Sequence, residues 1–499
     1  MPGSFHIEYF GCRAARADGE AVGTHLRAAG LAEEAPSLAD LVVVNTCSVT
    51  AEADRAARAY IRRARRLNPD ARIVVTGCYA QRAPQELAGL PGVAAVIGNS
   101  HKALAPEIAL RTLGLRPQLP TELVQILPAA FTPAPQQTET PAPPQVAQVA
   151  QAVVWADDRF AHSFLEEAQL TPGQQTRPNL KIQEGCGNRC TFCVIPFTRG
   201  PSRSLSSEAI LRQVEGFVAA GGRELVLSGI NLGRWGRELP SPADPGAPRT
   251  LAALVRLIFE RTTLPRLRLS SIEPMDWDPA LIALMAGFAN PAAGSPRLAR
   301  HAHLPLQSGS DAVLRRMHRR YRPWHYAQKV EALLHAAGPD LTLGADVMVG
   351  FPGETNAEFE ETVALIRALP FGYLHLFPFS PRPGTPGWAL HAESPVAPRV
   401  VDERMAALRA LAAEKSRAHR GRFLGRQLEA ITLHTPAELA AQGRTSALTE
   451  NFLPVEIEGR MEANQLVRIS VSGLTPDGAL AASLQPSASP QYAATATSV

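Results

Sequence analysis

The chain has 499 residues, of which 45% are hydrophobic and 19% charged, with a formal net charge of +4. That length allows about three domains, and that composition excludes a disordered or fibrous protein in favour of globular units with sizeable cores. Mild basicity suits a polyanionic partner such as RNA without requiring one.

Residues 1–115 alternate short apolar runs with amphipathic stretches. FHIEYF (5–10), LVVVN (41–45) and RIVVT (72–76) read as strands, β-branched or aromatic and bounded by turn residues. EAVGTHLRAAGL and SVTAEADRAARAYIRRARRL between them carry helical apolar spacing. Strands alternating with helices imply an α/β domain on a parallel sheet. Residues 116–177 are rich in Pro, Gln, Thr and Ala and read as a linker or surface insertion, with WADDRFAHSFLEE as a short ordered return.

The alternation resumes over 178–412. PNLKIQ (178–183), ELVLSG (224–229), RLRLSS (266–271), AHLPLQ (302–307), LGADVMVG (343–350) and YLHLFPFS (373–380) are the expected strands. Six such units predict an incomplete (βα)6 TIM-like barrel, whose chemistry would sit at the carboxyl ends of the strands. A basic helix leads into residues 413–485, where LEAITLH, LPVEIEG, LVRISVSG and GALAASL suggest a small β-barrel. The tail 486–499 reads as disordered.

No apolar run approaches the ~18 residues a membrane-crossing helix needs, and MPGSFHIEYFGC lacks the basic and apolar segments of a secretion signal. A cytoplasmic protein without membrane contact is expected, and in that compartment clustered cysteines are metal ligands more often than disulfides. The six cysteines divide into two threes. Cys186, Cys190 and Cys193 lie in KIQEGCGNRCTFCVIP, a C-x3-C-x2-C loop just after an expected strand. Three thiolates in one short loop can wrap an iron–sulfur cluster. On a four-iron cluster they leave one iron open, able to chelate S-adenosylmethionine and pass it an electron. A zinc knuckle would close its coordination with a fourth Cys or His, and the loop holds none. Cys12, Cys47 and Cys78 each follow an expected strand, and in a parallel sheet those ends share one edge. They are either three separate buried cysteines or the ligands of a second cluster.

NTCSVTAEAD, VTGCYAQ, KIQEGCGNRCTFCVIP, LVLSGINLGRWG, HLPLQSGSDAVLRRMHRRY, DVMVGFPGET and FSPRPGTP, in that order, resemble the blocks of the radical-SAM methylthiotransferase family. They cover residues ~5–400 apart from the insertion, and the C-terminal part resembles that family's TRAM domain, an OB-like, RNA-binding β-barrel. CYAQ, KIQ and SGINLG are most similar to the branch acting on N6-threonylcarbamoyladenosine beside the anticodon, tRNA position 37 (MtaB-like). The branches acting on N6-isopentenyladenosine in tRNA and on a ribosomal-protein aspartate are the alternatives. Arg13-Ala14-Ala15 departs from the family pattern, which has an Asn soon after the first cysteine.

The resemblance implies two [4Fe-4S] clusters. One, on Cys186, Cys190 and Cys193, converts S-adenosylmethionine to methionine and a 5′-deoxyadenosyl radical that takes hydrogen from adenine C2. The other, on Cys12, Cys47 and Cys78, holds or supplies the sulfur, which a second S-adenosylmethionine methylates. An electron donor of the flavodoxin or ferredoxin type is implied with them. Phe192, Gly229 and Asn231 (within Ser228–Asn231), Glu273, Gln307 and Ser308 are candidate S-adenosylmethionine contacts, each equally readable as a turn, cap or packing residue. Lys415, Arg417, Arg420, Arg422 and Arg426 are candidate RNA contacts beside the barrel. Two further basic clusters, Arg62–Arg66 and Arg315–Arg322, suit either RNA or a solvated helix face. A different class, a non-enzymatic RNA-binding protein with structural metal, would have fully ligated sites and no use for S-adenosylmethionine.

Overall fold

The computed structural model describes residues 3–115, 152–160, 165, 177–240, 248–289 and 296–485. The expected disordered tail 486–499 and most of the insertion, 116–151, lie outside them. The chain divides into two compact units, Met1–Glu166 with Val194–Gly200, and Glu167–Cys193 with Pro201–Val499. Among the described residues no helix is long and apolar enough to cross a membrane.

The first unit is built on a six-stranded parallel sheet of β1 (Ser4–Tyr9), β2 (Ala32–Glu33), β3 (Leu41–Thr46), β4 (Arg72–Gly77), β5 (Val93–Gly98) and β6 (Val153–Trp155), in the order β2-β1-β3-β4-β5-β6. The apolar run of β3 is buried throughout because the sheet has a core on each face. Val43 and Val74 join one core with Phe5 and Ile7, while Val42, Val44, Ile73 and Val75 join the other with Tyr60 and Ile61. The helix Ala51–Leu67 starts where Thr50 accepts a hydrogen bond from the Ala53 N–H, with Glu52 and Asp54 in its first turn. Pairing sets Tyr9 beside Asn45 and Asn45 beside Thr76, so β1, β3 and β4 end on one edge. The three strands expected here are present. β5 was not expected because VAAVIG is a short apolar run that fits a buried helix as well, and β6 lies within the stretch read as linker.

All six strands expected between 178 and 380 are present in the second unit: β7 (Asn179–Glu184), β9 (Glu224–Gly229), β10 (Arg266–Leu269), β11 (His301–His303), β12 (Thr342–Val349) and β13 (Phe371–Pro378), with a short antiparallel β8 (Arg203–Ser204) beside β7. They run in the order β8-β7-β9-β10 and β11-β12-β13, and the Ile272 N–H donates to His303 O at 3.0 Å across the junction. Among the described residues no ladder closes β13 onto β7, which leaves an incomplete parallel barrel. The intervening helices are capped by Ser206, Thr250 and a Thr355–Glu358 capping box.

The last five strands, β14 (Gln427–Thr432), β15 (Arg444–Thr449), β16 (Pro454–Glu458), β17 (Leu466–Leu474) and β18 (Leu480–Leu484), close into a barrel in the order β14-β15-β16-β18-β17. β15 escaped the sequence reading because its buried set, Thr445, Ala447, Leu448 and Thr449, is too small and polar to mark a strand. The helix Pro398–Gly421 runs unbroken through residue 412, so the division expected at 412/413 falls inside it. Ion pairs with at least one buried partner fasten the barrel to the core of its unit. Arg266 pairs with Glu429, Arg300 with Glu450 and Asp340, and Arg426 with both oxygens of Asp340 at 2.6 Å. The Arg268 guanidinium donates to Thr449 O at 3.3 Å and to Glu224 at 2.9 Å. Burial opposes ionisation of Glu224, but Arg268, Arg266 and Arg177 outweigh it and hold the carboxyl below its usual range.

His419, near the end of that helix, is buried with Nε2 2.9 Å from Thr342 Oγ1. Burial, then the charges of Arg422 and Arg420, push its pKa from 6.5 to about 4. The unfolded chain therefore takes the proton first. The stabilising contribution is whole above the unfolded value of 6.5 and is lost as pH falls from there toward 4. Unfolding followed by circular dichroism should show wild type losing about 3 kcal/mol more than His419→Gln across that window. Equal losses in the two proteins would refute a buried neutral imidazole.

Candidate functional site

Both cysteine triads lie at the carboxyl edge of parallel strands. In the first unit Cys12, Cys47 and Cys78 follow β1, β3 and β4, three neighbours in the sheet. Cys12 is exposed, and Cys47 and Cys78 are buried. Their approach depends on glycine at Gly11. Its φ is +104°, and a Cβ there would lie 2.5 Å from the Cys47 Cβ and 2.7 Å from its Sγ. Burial, followed by the neighbouring Cys78 and Cys12, pushes the Cys47 thiol up to about 12. The buried Cys47 thiol thus resists ionisation, and a bound cation would reverse that balance by displacing its proton.

Cys78 already has donors. The fully buried Arg199 directs Nε at its Sγ over 3.2 Å and Nη1 at Asp18 over 3.0 Å, and Asn99 Nδ2 lies 3.4 Å from the same sulfur. Asn99 Nδ2 also donates to Thr198 O at 2.8 Å, which pins the short helix Ile195–Arg199 to this edge. Sequence reasoning passed over Arg199 and Asn99. The only signal was their place, Asn99 just past β5 and Arg199 six residues after Cys193.

In the second unit Cys186, Cys190 and Cys193 occupy an irregular loop after β7 and are all half-buried. The loop is held through Thr191, whose N–H donates to Met317 O at 3.2 Å, whose hydroxyl donates to Arg316 O at 3.0 Å, and whose carbonyl accepts from the Gly387 N–H at 2.7 Å. Cys186 Sγ accepts from the Asn188 N–H at 3.4 Å and lies 3.6 Å from Asn231 Nδ2. Burial raises that thiol's pKa and these two donors draw it down. Arg319 Nη1 lies 3.2 Å from Cys190 Sγ, its Nη2 pairs with Glu273, and its Nε donates to the Tyr321 hydroxyl. Burial opposes the Arg319 charge, but Tyr321, Glu273 and Cys190 outweigh it, so a full positive charge rests against the cysteine loop. Thiols met by a guanidinium, an amide and a backbone N–H fit an iron–sulfur cluster, whose sulfurs are tuned by such donors.

The proposed S-adenosylmethionine contacts fall at the same edge. Gly229 abuts Gln183, where a Cβ would meet the Gln183 Cβ at 2.9 Å, and the Asn231 N–H donates to Gln183 Oε1 at 2.6 Å. Gln183 also donates to the carbonyls of Glu184 and Gly185 at 2.9 Å, so this residue, which the sequence reading left out of the site, joins the cysteine loop to the end of β9. Gln307 sits at φ +63°, uncommon for a residue with a side chain. It is held there by the bond from its N–H to Asp346 O at 2.8 Å. Asn231 Oδ1, Ser228 Oγ and Gln307 Oε1 are buried without protein partners, as residues prepared for a polar ligand would be. Ser308 differs, being fully buried with its hydroxyl 3.1 Å from Thr362 Oγ1. Phe192 is half-buried with its backbone against Gly387.

The basic clusters separate. Each member of Arg315–Arg322 named above has an acidic partner: Arg315 and Arg322 pair with Asp311, Arg316 with Glu358, Arg319 with Glu273 and Arg320 with Asp276. Lys415, Arg420 and Arg422 donate to the carbonyls of Arg367, Gly478 and Pro339, and Arg426 pairs with Asp340, whereas Arg417 is exposed. Arg62, Arg63 and Arg66 are exposed on their helix.

Residues 4–98 match the uncharacterized protein family UPF0004, and residues 180–366 match the Radical SAM superfamily. A threonylcarbamoyladenosine tRNA methylthiotransferase of Bacillus subtilis is 33% identical over 94% of this chain and 93% of its own. One from Aquifex aeolicus is 32% identical over 87% and 91%. A tRNA-2-methylthio-N(6)-dimethylallyladenosine synthase of Cereibacter sphaeroides is 31% identical over 94% and 96%. The solved structure of the radical S-adenosylmethionine methyltransferase TsrM from Kitasatospora setae shares the fold, with a TM-score of 0.53 and 16% identity over 79% of this chain and 78% of that one. The fold and the superfamily match define a radical-SAM enzyme, a class that uses S-adenosylmethionine and a [4Fe-4S] cluster. Within that class, the chain belongs to the methylthiotransferase family.

Gly11→Ala should lower the stability of the first unit by roughly 1–3 kcal/mol, since a side chain at that φ is strained and would collide with Cys47. Thermal unfolding measures it, and an unchanged midpoint would mean that Gly11 does not pack on Cys47.

Proposed function

We propose that this protein methylthiolates C2 of N6-threonylcarbamoyladenosine beside the anticodon, at tRNA position 37, giving 2-methylthio-N6-threonylcarbamoyladenosine. The observation that carries the reading is the second cysteine triad. A radical-SAM loop alone removes hydrogen, whereas sulfur insertion also calls for a sulfur-holding centre, and Cys12, Cys47 and Cys78 on one sheet edge suit it. The names of the Bacillus and Aquifex relatives favour threonylcarbamoyladenosine over the dimethylallyl substrate of the Cereibacter protein.

Cys186, Cys190 and Cys193 would hold the cluster that meets S-adenosylmethionine, and Cys12, Cys47 and Cys78 a second one. When bound, these groups supply a 5′-deoxyadenosyl radical and the sulfur to be transferred and methylated. Around them the chain's own residues orient and exclude. Arg319 and Asn231 direct N–H groups at Cys190 and Cys186, and Arg199 and Asn99 do the same at Cys78. Gly229, Asn231, Glu273 and Gln307 present polar atoms at the strand ends where S-adenosylmethionine would lie, beside Phe192 and Ser308. A flavodoxin- or ferredoxin-type donor would supply the electron. Lys415, Arg417, Arg420, Arg422 and Arg426 flank the C-terminal barrel, and phosphate contacts there would make tRNA binding strongly salt-dependent.

Nucleoside mass spectrometry of tRNA from a deletion strain should show 2-methylthio-N6-threonylcarbamoyladenosine replaced by its unthiolated precursor; an unchanged level would rule the substrate out. In anaerobically reconstituted protein, Cys186→Ala should abolish 5′-deoxyadenosine formation from S-adenosylmethionine. Cys47→Ala should keep that cleavage and lose thiolation, and a Cys47→Ala enzyme that still thiolates would remove the sulfur-centre role.

A further inference from the structure

One face of β10–β13 is polar where a barrel interior is ordinarily apolar. His303, Asp346 and His375 lie on three neighbouring strands there, with their ligand atoms within 4.8 Å of one another. The His375 Nδ1–H donates to Asp346 Oδ1 at 3.2 Å, which leaves Nε2 of a ring that is 63% exposed to meet a ligand. His303 is buried, and its Nε2 lies 3.1 Å from the same carboxylate oxygen without the alignment of a hydrogen bond. Its Nδ1 is 2.9 Å from the Tyr373 hydroxyl, which also reaches His301 Nε2 at 2.8 Å. Tyr373 lies over Gly344, where any side chain would collide with its ring. Phe452, from the loop after β15, stacks on His301 at 4.2 Å between ring centroids and closes the floor of the group.

A short chain of contacts links the group to the cysteine loop. The Ile272 N–H binds His303 O, and the next residue, Glu273, pairs with the Arg319 that touches Cys190. The Leu306 and Gln307 N–H groups bind Asp346 O at the strand ends. A ligand placed at that edge for reaction would therefore put a substituent onto His303, Asp346 and His375.

We propose that His303, Asp346 and His375 form the binding site for the polar substituent on N6 of the substrate adenine, and so select threonylcarbamoyl over a hydrocarbon group. The inference rests on the proposed modified adenosine in tRNA and deepens it. Threonylcarbamoyl carries a urea N–H, a hydroxyl and a carboxylate. Asp346 can accept from the N–H. His375 Nε2 can accept from the hydroxyl when neutral or donate to the carboxylate when protonated. A dimethylallyl group offers none of these bonds, and seating it would strip water from Asp346 and His303 without replacement. Sites built to bond a polar group reject the analogue lacking it more strongly than apolar pockets reject added polarity.

The test uses the reconstituted full-length protein and three anticodon stem-loops that differ only in the target base: threonylcarbamoyladenosine, dimethylallyladenosine or adenosine. Fluorescence anisotropy gives each Kd. Wild type should bind the threonylcarbamoyl RNA tightest. His375→Leu and Asp346→Asn should weaken that complex about tenfold or more, the scale of a lost hydrogen bond to a charged group. Their affinity for the adenosine stem-loop should stay within about twofold, since phosphate contacts dominate it. An equal loss on all three RNAs would reduce the group to a structural role, and no loss on any would overturn the site. A wild-type preference for the dimethylallyl RNA would instead sink the substrate reading itself. Wild-type selectivity that both variants retain would sink only the recognition role.

Discussion

A sulfur ligand cannot be both buried and ionised unless positive charge or N–H donors are set against it, and both cysteine sites are organised around that constraint. At Cys78 the answer is Arg199, fully buried and balanced by Asp18, with Asn99 beside it. At Cys190 it is Arg319, balanced by Glu273. In each case an arginine brings a charge that the interior would otherwise reject, and a carboxylate on its far side keeps it there. Cys47 has a weaker donor, the Val49 N–H at 3.5 Å, and burial pushes its thiol up to about 12.

The parallel strands supply the second organising element. Because every strand of the first sheet points the same way, residues distant in sequence finish on one edge, and Gly11 and Gly77 let neighbouring strand ends approach one another closely. A Cβ at Gly77 would lie 2.3 Å from Thr46 O. The six parallel strands of the second unit do the same for Gln183, Asn231, Glu273 and Gln307. Ion pairs of Arg266 with Glu429, Arg300 with Glu450 and Arg426 with Asp340 then seat the C-terminal barrel on the strands. Those pairs hold Phe452 against His301 of β11, so the barrel contributes an aromatic ring to the His303, Asp346 and His375 group.

Most of the framework was legible in the sequence because it rests on local pattern. Every expected strand between 178 and 380 has a counterpart, since each is an apolar run bounded by turn residues. β5 and β15 were not legible, one being ambiguous between helix and strand and the other lined by Thr and Ala. The cluster Arg315–Arg322 misled for a physical reason. A string of arginines gives no sign of its partners, and Arg319, grouped by sequence with possible RNA contacts, is turned inward onto Cys190.

What the sequence determined by itself was the chemistry available: two sets of three cysteines, each set following strand ends, and a C-x3-C-x2-C loop that holds no fourth Cys or His. Those are matters of residue type and spacing along the chain. Only the tertiary structure decided which groups face the sulfurs, that Gln183 ties the cysteine loop to β9, and that His303, Asp346 and His375 share one face. Such pairings join residues tens to more than a hundred positions apart, and strand register and helix packing set them, neither of which leaves a trace in local sequence.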